Sequence, residues 1–140
     1  VQDGDIQTPA AEAAPPTPAG RSGGRSRLAL SAFFVGAGVN HFVNRRAYEL
    51  IVPPSLKHEA RRIVDVSGVA EVIVGLGVLV PATRRLSGLG VIALLAAVFP
   101  ANIYMARQPE DFKKIPRWAL YGRLPLQPLM MIWAWKATRR

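Results

Sequence analysis

From residue 28 onward the chain is written in long apolar runs separated by short polar connections. The runs cover 28–43, 63–80, 86–106 and 118–135. Each is about 16 to 21 residues, against the roughly 20 needed to cross a bilayer. The third, which contains "GLGVIALLAAVF", has none of the polar positions that a surface helix of a soluble bundle shows at heptad spacing. The first two sit at the short end, which calls for a thinned bilayer or a flanking interfacial turn. The second and fourth hold Asp65, Glu71, Arg123 and Gln127 among their apolar residues. The pattern predicts an all-α fold, a transmembrane four-helix antiparallel bundle.

The connections agree with that reading. "PATRR" (81–85) is a tight turn and "RQPEDFKKIPR" (107–117) a short polar loop. The longest link, 44–62, carries Pro53-Pro54 and then "SLKHEARRI", read as a short helix lying at the membrane interface. The ending "WAWKATRR" has the aromatic-then-basic order of a headgroup anchor. Residues 1–27 are rich in Pro, Ala, Gly and Ser and bury too little to offset their ordering entropy, so a disordered tail is expected there. It ends in a basic collar of Arg21, Arg25 and Arg27. A signal peptide is the rival reading, but three apolar runs would remain even if the first were cleaved. The expected organisation is a 1–27 tail, a 28–135 membrane domain and a basic 136–140 tail.

Composition sharpens the picture. Half of the 140 residues are hydrophobic, yet the formal charge is +9. Seventeen of the 18 Lys and Arg lie in tails or connections, and only Arg123 falls inside an apolar run. A soluble nucleic-acid binder spreads its cations along a helix face, so that class is set aside. In antiparallel threading, eight cations fall on the side of the termini and the 81–85 turn, and nine on the side of the two longer links. The counts do not separate the sides. The closer packing of the first group favours both termini in the cytoplasm. There is no cysteine, which excludes disulfides, thiolate metal sites and dithiol redox chemistry within the chain.

The polar residues inside the runs fall toward one face of the bilayer. At 1.5 Å per residue, His41 and Asp65 lie within roughly 3 Å of the boundary beside the longer links, Asn40 and Asn102 about 5 Å down, Arg123 about 8 Å, and Glu71 and Gln127 roughly 12 to 14 Å. Helical phase puts Ser67, Glu71 and Gly75 on one stripe and Ala32, Gly36 and Asn40 on another. Small residues at that spacing allow close approach in lipid, so the two stripes are expected to face each other or the bundle centre. Asp65, at matching depth, is the expected partner of His41. A lone mid-membrane acid costs roughly 2.5 to 3.5 kcal/mol or more. Two readings relieve it: a buried Glu71–Arg123 pair, or a neutral Glu71 hydrogen-bonded to a neighbouring helix. Pro100, Pro125 and Pro128 free helical carbonyls that Asn102, Tyr104, Arg123 and Gln127 can satisfy. The candidate polar cluster is therefore Asn40, His41, Asp65, Glu71, Asn102, Tyr104, Arg123 and Gln127.

Four motifs, "AGVNHF" (37–42), "SGVAEVIVGLGVLVP" (67–81), "FPANIYMA" (99–106) and "RLPLQ" (123–127), occur in one order across nearly all of the chain after Leu28. In them the sequence resembles the DoxX-like family of small bacterial four-span membrane proteins. The resemblance implies a multi-pass protein of the bacterial cell membrane. It matches His41, Glu71, Asn102, Arg123 and Gln127 to motif positions and assigns none a catalytic role. The family takes its name from a small subunit of thiosulfate:quinone oxidoreductase, and most members share only its fold.

The first functional reading is a non-catalytic membrane subunit or a module for a small amphipathic, quinone-like ligand. In a variant of it the same residues only hold the helices together. The alternatives are the membrane subunit of an oxidoreductase, such as thiosulfate:quinone oxidoreductase, and a small transporter or proton relay. A quinone is the cofactor the residues suit, and the expected partners are the bilayer, a quinone, a redox protein or further copies of the chain. Haem is not expected, because the second histidine, His58, sits in a connection. Nor is a metal, because Glu71 lies about 9 Å deeper than His41 and Asp65. The relay is disfavoured because the other leaflet is dry. No phosphate-binding loop, nucleophile elbow or zinc-protease pair occurs in the sequence.

Overall fold

The computed structural model describes residues 18–139, and among them the chain is all-helical with no strand. The helices are α1 (Pro18–Val43), α2 (Arg45–Ile51), α3 (Ala60–Gly77), α4 (Arg84–Arg107) and α5 (Arg117–Thr138). Two 3-10 turns, Pro54–Glu59 and Pro109–Phe112, precede α3 and α5. The four apolar runs thus become α1, α3, α4 and α5.

Prolines set several boundaries. Val52, held extended at φ −66°, ψ 128° before Pro53, stops α2, as a residue preceding proline tends to do. Pro116 occupies the N-cap of α5 at φ −58°, ψ 141°. Thr83 closes the other end of the pair α3–α4, donating its hydroxyl to the Gly77 carbonyl at 2.9 Å. Pro100 sits within α4, and Pro125 and Pro128 within α5.

Three sequence expectations change. Residues 18–27, expected to be unstructured, form the first turns of α1, and Trp133 Nε1 donates to Ser26 Oγ at 2.8 Å. That tertiary bond supplies what the local composition lacks; the rest of the expected tail, 1–17, lies outside the described residues. At the other end α5 runs to Thr138, with Ala137 and Thr138 buried, so most of the expected 136–140 tail is packed helix. The segment "SLKHEARRI" is shared between a 3-10 turn and the start of α3, while the separate helix in that link is α2.

The long helices pack side by side with alternating direction. Gly38 of α1 meets Gly68 and Val72 of α3, while Val35 meets Gly75, so α1 and α3 run antiparallel. A Cβ on Gly38 would lie 2.6 Å from the Gly68 carbonyl oxygen, and one on Gly68 would lie 3.0 Å from the Gly38 oxygen. Glycine at both positions lets the two backbones touch. Val74 against Gly90 and Gly77 against Ser87 join α3 to α4, and Met105–Arg123 and Asn102–Gln127 join α4 to α5. Leu30, Phe34, Val78, Val91, Leu95, Ala134 and Ala137 form the main core, drawn from all four long segments. Smaller apolar clusters, Val52–Ala60–Val64 and Met105–Phe112–Leu120, lie near α2 and the second 3-10 turn.

The expected contact stripe on α1 is corrected by the packing. Gly36 has open space around it and Ala32 is exposed, whereas Gly38 and His41 face α3. With apolar residues all round the helix, spacing alone could not fix its rotation.

Among the described residues α4 is the one helix long and apolar enough by itself to cross a membrane, and 17% of that stretch is buried. α3 departs from this through Arg61, Arg62, Asp65 and Glu71, and α5 through Arg123 and its prolines. Even so, large apolar side chains point outward on every long helix. Phe33 and Val39 do so on α1, Val69 and Ile73 on α3, Leu86 and Leu89 on α4, and Leu129 and Ile132 on α5.

Candidate polar cavity

The four long helices and α2 enclose a cavity of about 310 Å³. α1 contributes His41, α3 Ser67 and Glu71, α4 Asn102, and α5 Arg123. Ile51, Val52 and Leu56, from α2 and the turn after it, line it together with Tyr48. Ile63, Val64, Leu94, Ala97 and Val98 complete apolar walls. Four of the eight sequence candidates thus line one space.

His41 is buried on α1, and its Nδ1 donates to the Ala37 carbonyl at 2.9 Å. A carbonyl oxygen only accepts, so this bond keeps the Nδ1 proton in place. Glu71 Oε2 stands 3.5 Å from the same nitrogen. It is buried and receives no hydrogen bond. Buried polar atoms are nearly always partnered, so an orphan on a cavity wall marks where a ligand group would be satisfied. Arg123 reaches toward the Met105 sulfur at 3.7 Å, a weak acceptor that leaves most of the guanidinium donors unused.

Two expected pairings do not form. Glu71 stands beside His41 and makes no ion pair with Arg123, although both line the cavity. Asp65 pairs with Arg45 at 2.8 Å instead of His41. Arg45 opens α2 beside the start of α3, where the half-exposed Asp65 meets it at lower desolvation cost than in the interior.

The remaining candidates support the walls. Buried Gln127 accepts from Asn102 Nδ2 at 2.7 Å and donates to the Leu95 carbonyl. That carbonyl is one residue before the one freed by Pro100. Asn40 donates to the Tyr48 hydroxyl at 2.9 Å and accepts from Asn44 at 2.6 Å. Tyr104, expected to serve as a polar donor, packs edge-on against Phe112 with ring centres 5.7 Å apart, outside the cavity lining.

The residue that spacing did not single out is Tyr48. Its ring stacks on His41 at 3.9 Å and its hydroxyl is held by Asn40, so α2 is fastened against the cavity that Tyr48 and Ile51 line. Lys57 fastens the far end of α2, donating to the carbonyls of Glu49 at 2.8 Å and Leu50 at 3.1 Å. The available signal was "RRAYELI", in which Tyr48 and Ile51 fall three apart on one helical face.

Among the described residues no three His, Asp or Glu side chains gather as a metal site requires. The cavity instead offers a bare acid oxygen, unused guanidinium donors and a hydroxyl, surrounded by aliphatic carbon. Such a lining suits a molecule with a small polar head and an apolar body.

A family model described as a domain of unknown function (DUF8561) matches residues 30–138. No curated protein and no solved structure matches the chain.

Proposed function

We propose, for a chain that belongs to the DUF8561 family, that it is a four-span integral membrane protein whose polar cavity binds a small amphipathic molecule with a quinone-like head. It acts as a non-catalytic membrane subunit or ligand module. The observation that carries this reading is the convergence of His41, Glu71, Asn102 and Arg123, from four different helices, on one cavity with an unsatisfied acid oxygen. Residues that served only to hold helices together would pair with one another, whereas Glu71 and Arg123, a carboxylate and a guanidinium lining one cavity, do not. Arg123 supplies donors to a head carbonyl, and Glu71 accepts from a hydroxyl or N–H.

The membrane reading rests on the outward apolar side chains of all four long helices and on charges gathered near their ends. The resemblance to the DoxX-like family supports the same architecture and a bacterial cell membrane, and the closer packing of cations on the side of the termini favours both termini in the cytoplasm. The chain would then serve a redox partner protein as a quinone-holding subunit.

The test is a titration of the protein in lipid nanodiscs with a water-soluble benzoquinone that has no tail. Binding should raise the melting temperature; Arg123→Gln should remove at least ten-fold in affinity for the quinone, and Glu71→Gln at least ten-fold for its reduced hydroquinone form, whose hydroxyl donates to Glu71, with both variants remaining folded. Absence of any shift, or a shift in both variants as large as that of the wild type, would leave the polar residues as helix-to-helix glue.

A further inference from the structure

A second, apolar groove of about 470 Å³ runs along the outer seam between α3 and α4. Ala70, Gly90 and Ala93 keep it open, and Leu94 and Ala97 belong to this groove and to the polar cavity at once. The two spaces therefore share a wall. We infer that the cavity's ligand carries a single apolar chain, and that this chain leaves between α3 and α4 and lies in the groove.

The inference rests on the proposed binding site and adds the class of its ligand and the route of entry. Its support is the adjacency of a polar chamber and an apolar groove that share Leu94 and Ala97, on a side where α4 turns apolar residues outward. α2 lines the chamber as well, through Ile51 and through Tyr48, which stacks on His41. Small side chains line the seam where larger ones would fill it. From Ala97 to Gly90 the groove follows α4 for about 10 Å, the reach of roughly eight carbon–carbon bonds in an extended chain. A head at Glu71 and Arg123 with a tail of that length would occupy both spaces.

The experiment compares two probes of identical head, a tail-less benzoquinone and its decyl derivative, on the wild type, Ala93→Phe and Leu89→Phe in nanodiscs. Ala93 faces the groove, whereas Leu89 is exposed on α4 outside its lining. Lipid partitioning favours the decyl probe for every protein equally, so the comparison between variants is what reads the groove. The decyl advantage should fall at least ten-fold in Ala93→Phe and stay unchanged in Leu89→Phe, with tail-less affinity the same in all three. A decyl advantage that survives Ala93→Phe overturns the inference while leaving the head site intact. Failure of the tail-less probe to bind any of the three overturns the head site, and the inference with it.

Should Ala93→Phe not fold, a decyl probe with a terminal diazirine gives the answer on the wild type. Labelling confined to the facing segments of α3 and α4 supports the tail's placement. Even labelling of all outward faces, as bulk lipid chains would give, overturns it. So does a chain dimer whose seam the probe cannot label.

Discussion

Glu71 sits among apolar neighbours with a histidine nitrogen 3.5 Å away and no hydrogen bond to its inner oxygen. It differs from Asp65 in lacking a permanent cation: the buried Asp65 Oδ1 meets Arg45 at 2.8 Å, while both side chains keep about a third of their surface exposed. A pair with about a third of each side chain in solvent is partly screened, and the amide keeps a hydrogen-bond acceptor for Arg45, so Asp65→Asn should lower stability by about 1 kcal/mol in a thermal melt. Gln127→Leu should do worse. It strands the Asn102 amide inside the helix array, at a cost of about 1 to 3 kcal/mol by the same measurement. Equal effects of the two substitutions would contradict this ranking. Sequence depth placed His41, Glu71, Asn102 and Arg123 at one end because helical rise is fixed and the chain alternates direction. Their partners were not legible. Which carboxylate meets which cation depends on helix rotation and on α2, and neither leaves a trace in residue spacing.

The contact between α1 and α3 depends on two glycines whose backbones touch. A methyl group on Gly38 would meet the Gly68 carbonyl and the Val72 amide nitrogen, neither of which can swing aside like a side chain. Gly38→Ala should therefore cost about 1 to 3 kcal/mol, and Gly36→Ala, in open space, nearly nothing. Detergent-solubilised melting curves of the two variants make the comparison direct. α2 acts as a strap, tied by Arg45–Asp65 at one end, Lys57 at the other and Tyr48 in the middle. An aromatic stack adds about 0.5 to 1.5 kcal/mol to the fold, so Tyr48→Ala should lower the melting temperature and, by removing part of the cavity lining, weaken benzoquinone binding several-fold. The four long helices could be read from hydropathy because each apolar run is bounded by prolines or charges. α2 could not, since seven residues carry too little periodicity. The contact face of α1 was misassigned because apolar residues on all sides remove the polar stripe that ordinarily fixes a helix's rotation.

At the scale of the molecule, apolar side chains cover the outside as well as the core, while 17 of 18 Lys and Arg lie outside the four apolar runs. In water so large an apolar surface would drive association; in a bilayer it meets hydrocarbon. In the proposed bilayer placement, the chamber of Glu71 and Arg123 would fall within one leaflet and its seam would open to lipid. The absence of cysteine makes the arrangement testable with single introduced thiols. Ala82→Cys lies in the turn between α3 and α4, and Lys113→Cys in the link between α4 and α5; both positions are exposed. In sealed bacterial membrane vesicles of known orientation, a membrane-impermeant maleimide should label one of the two at once and the other only after permeabilisation. Labelling of both from the same face would mean that α4 does not cross, and the lipid-facing chamber would have no basis.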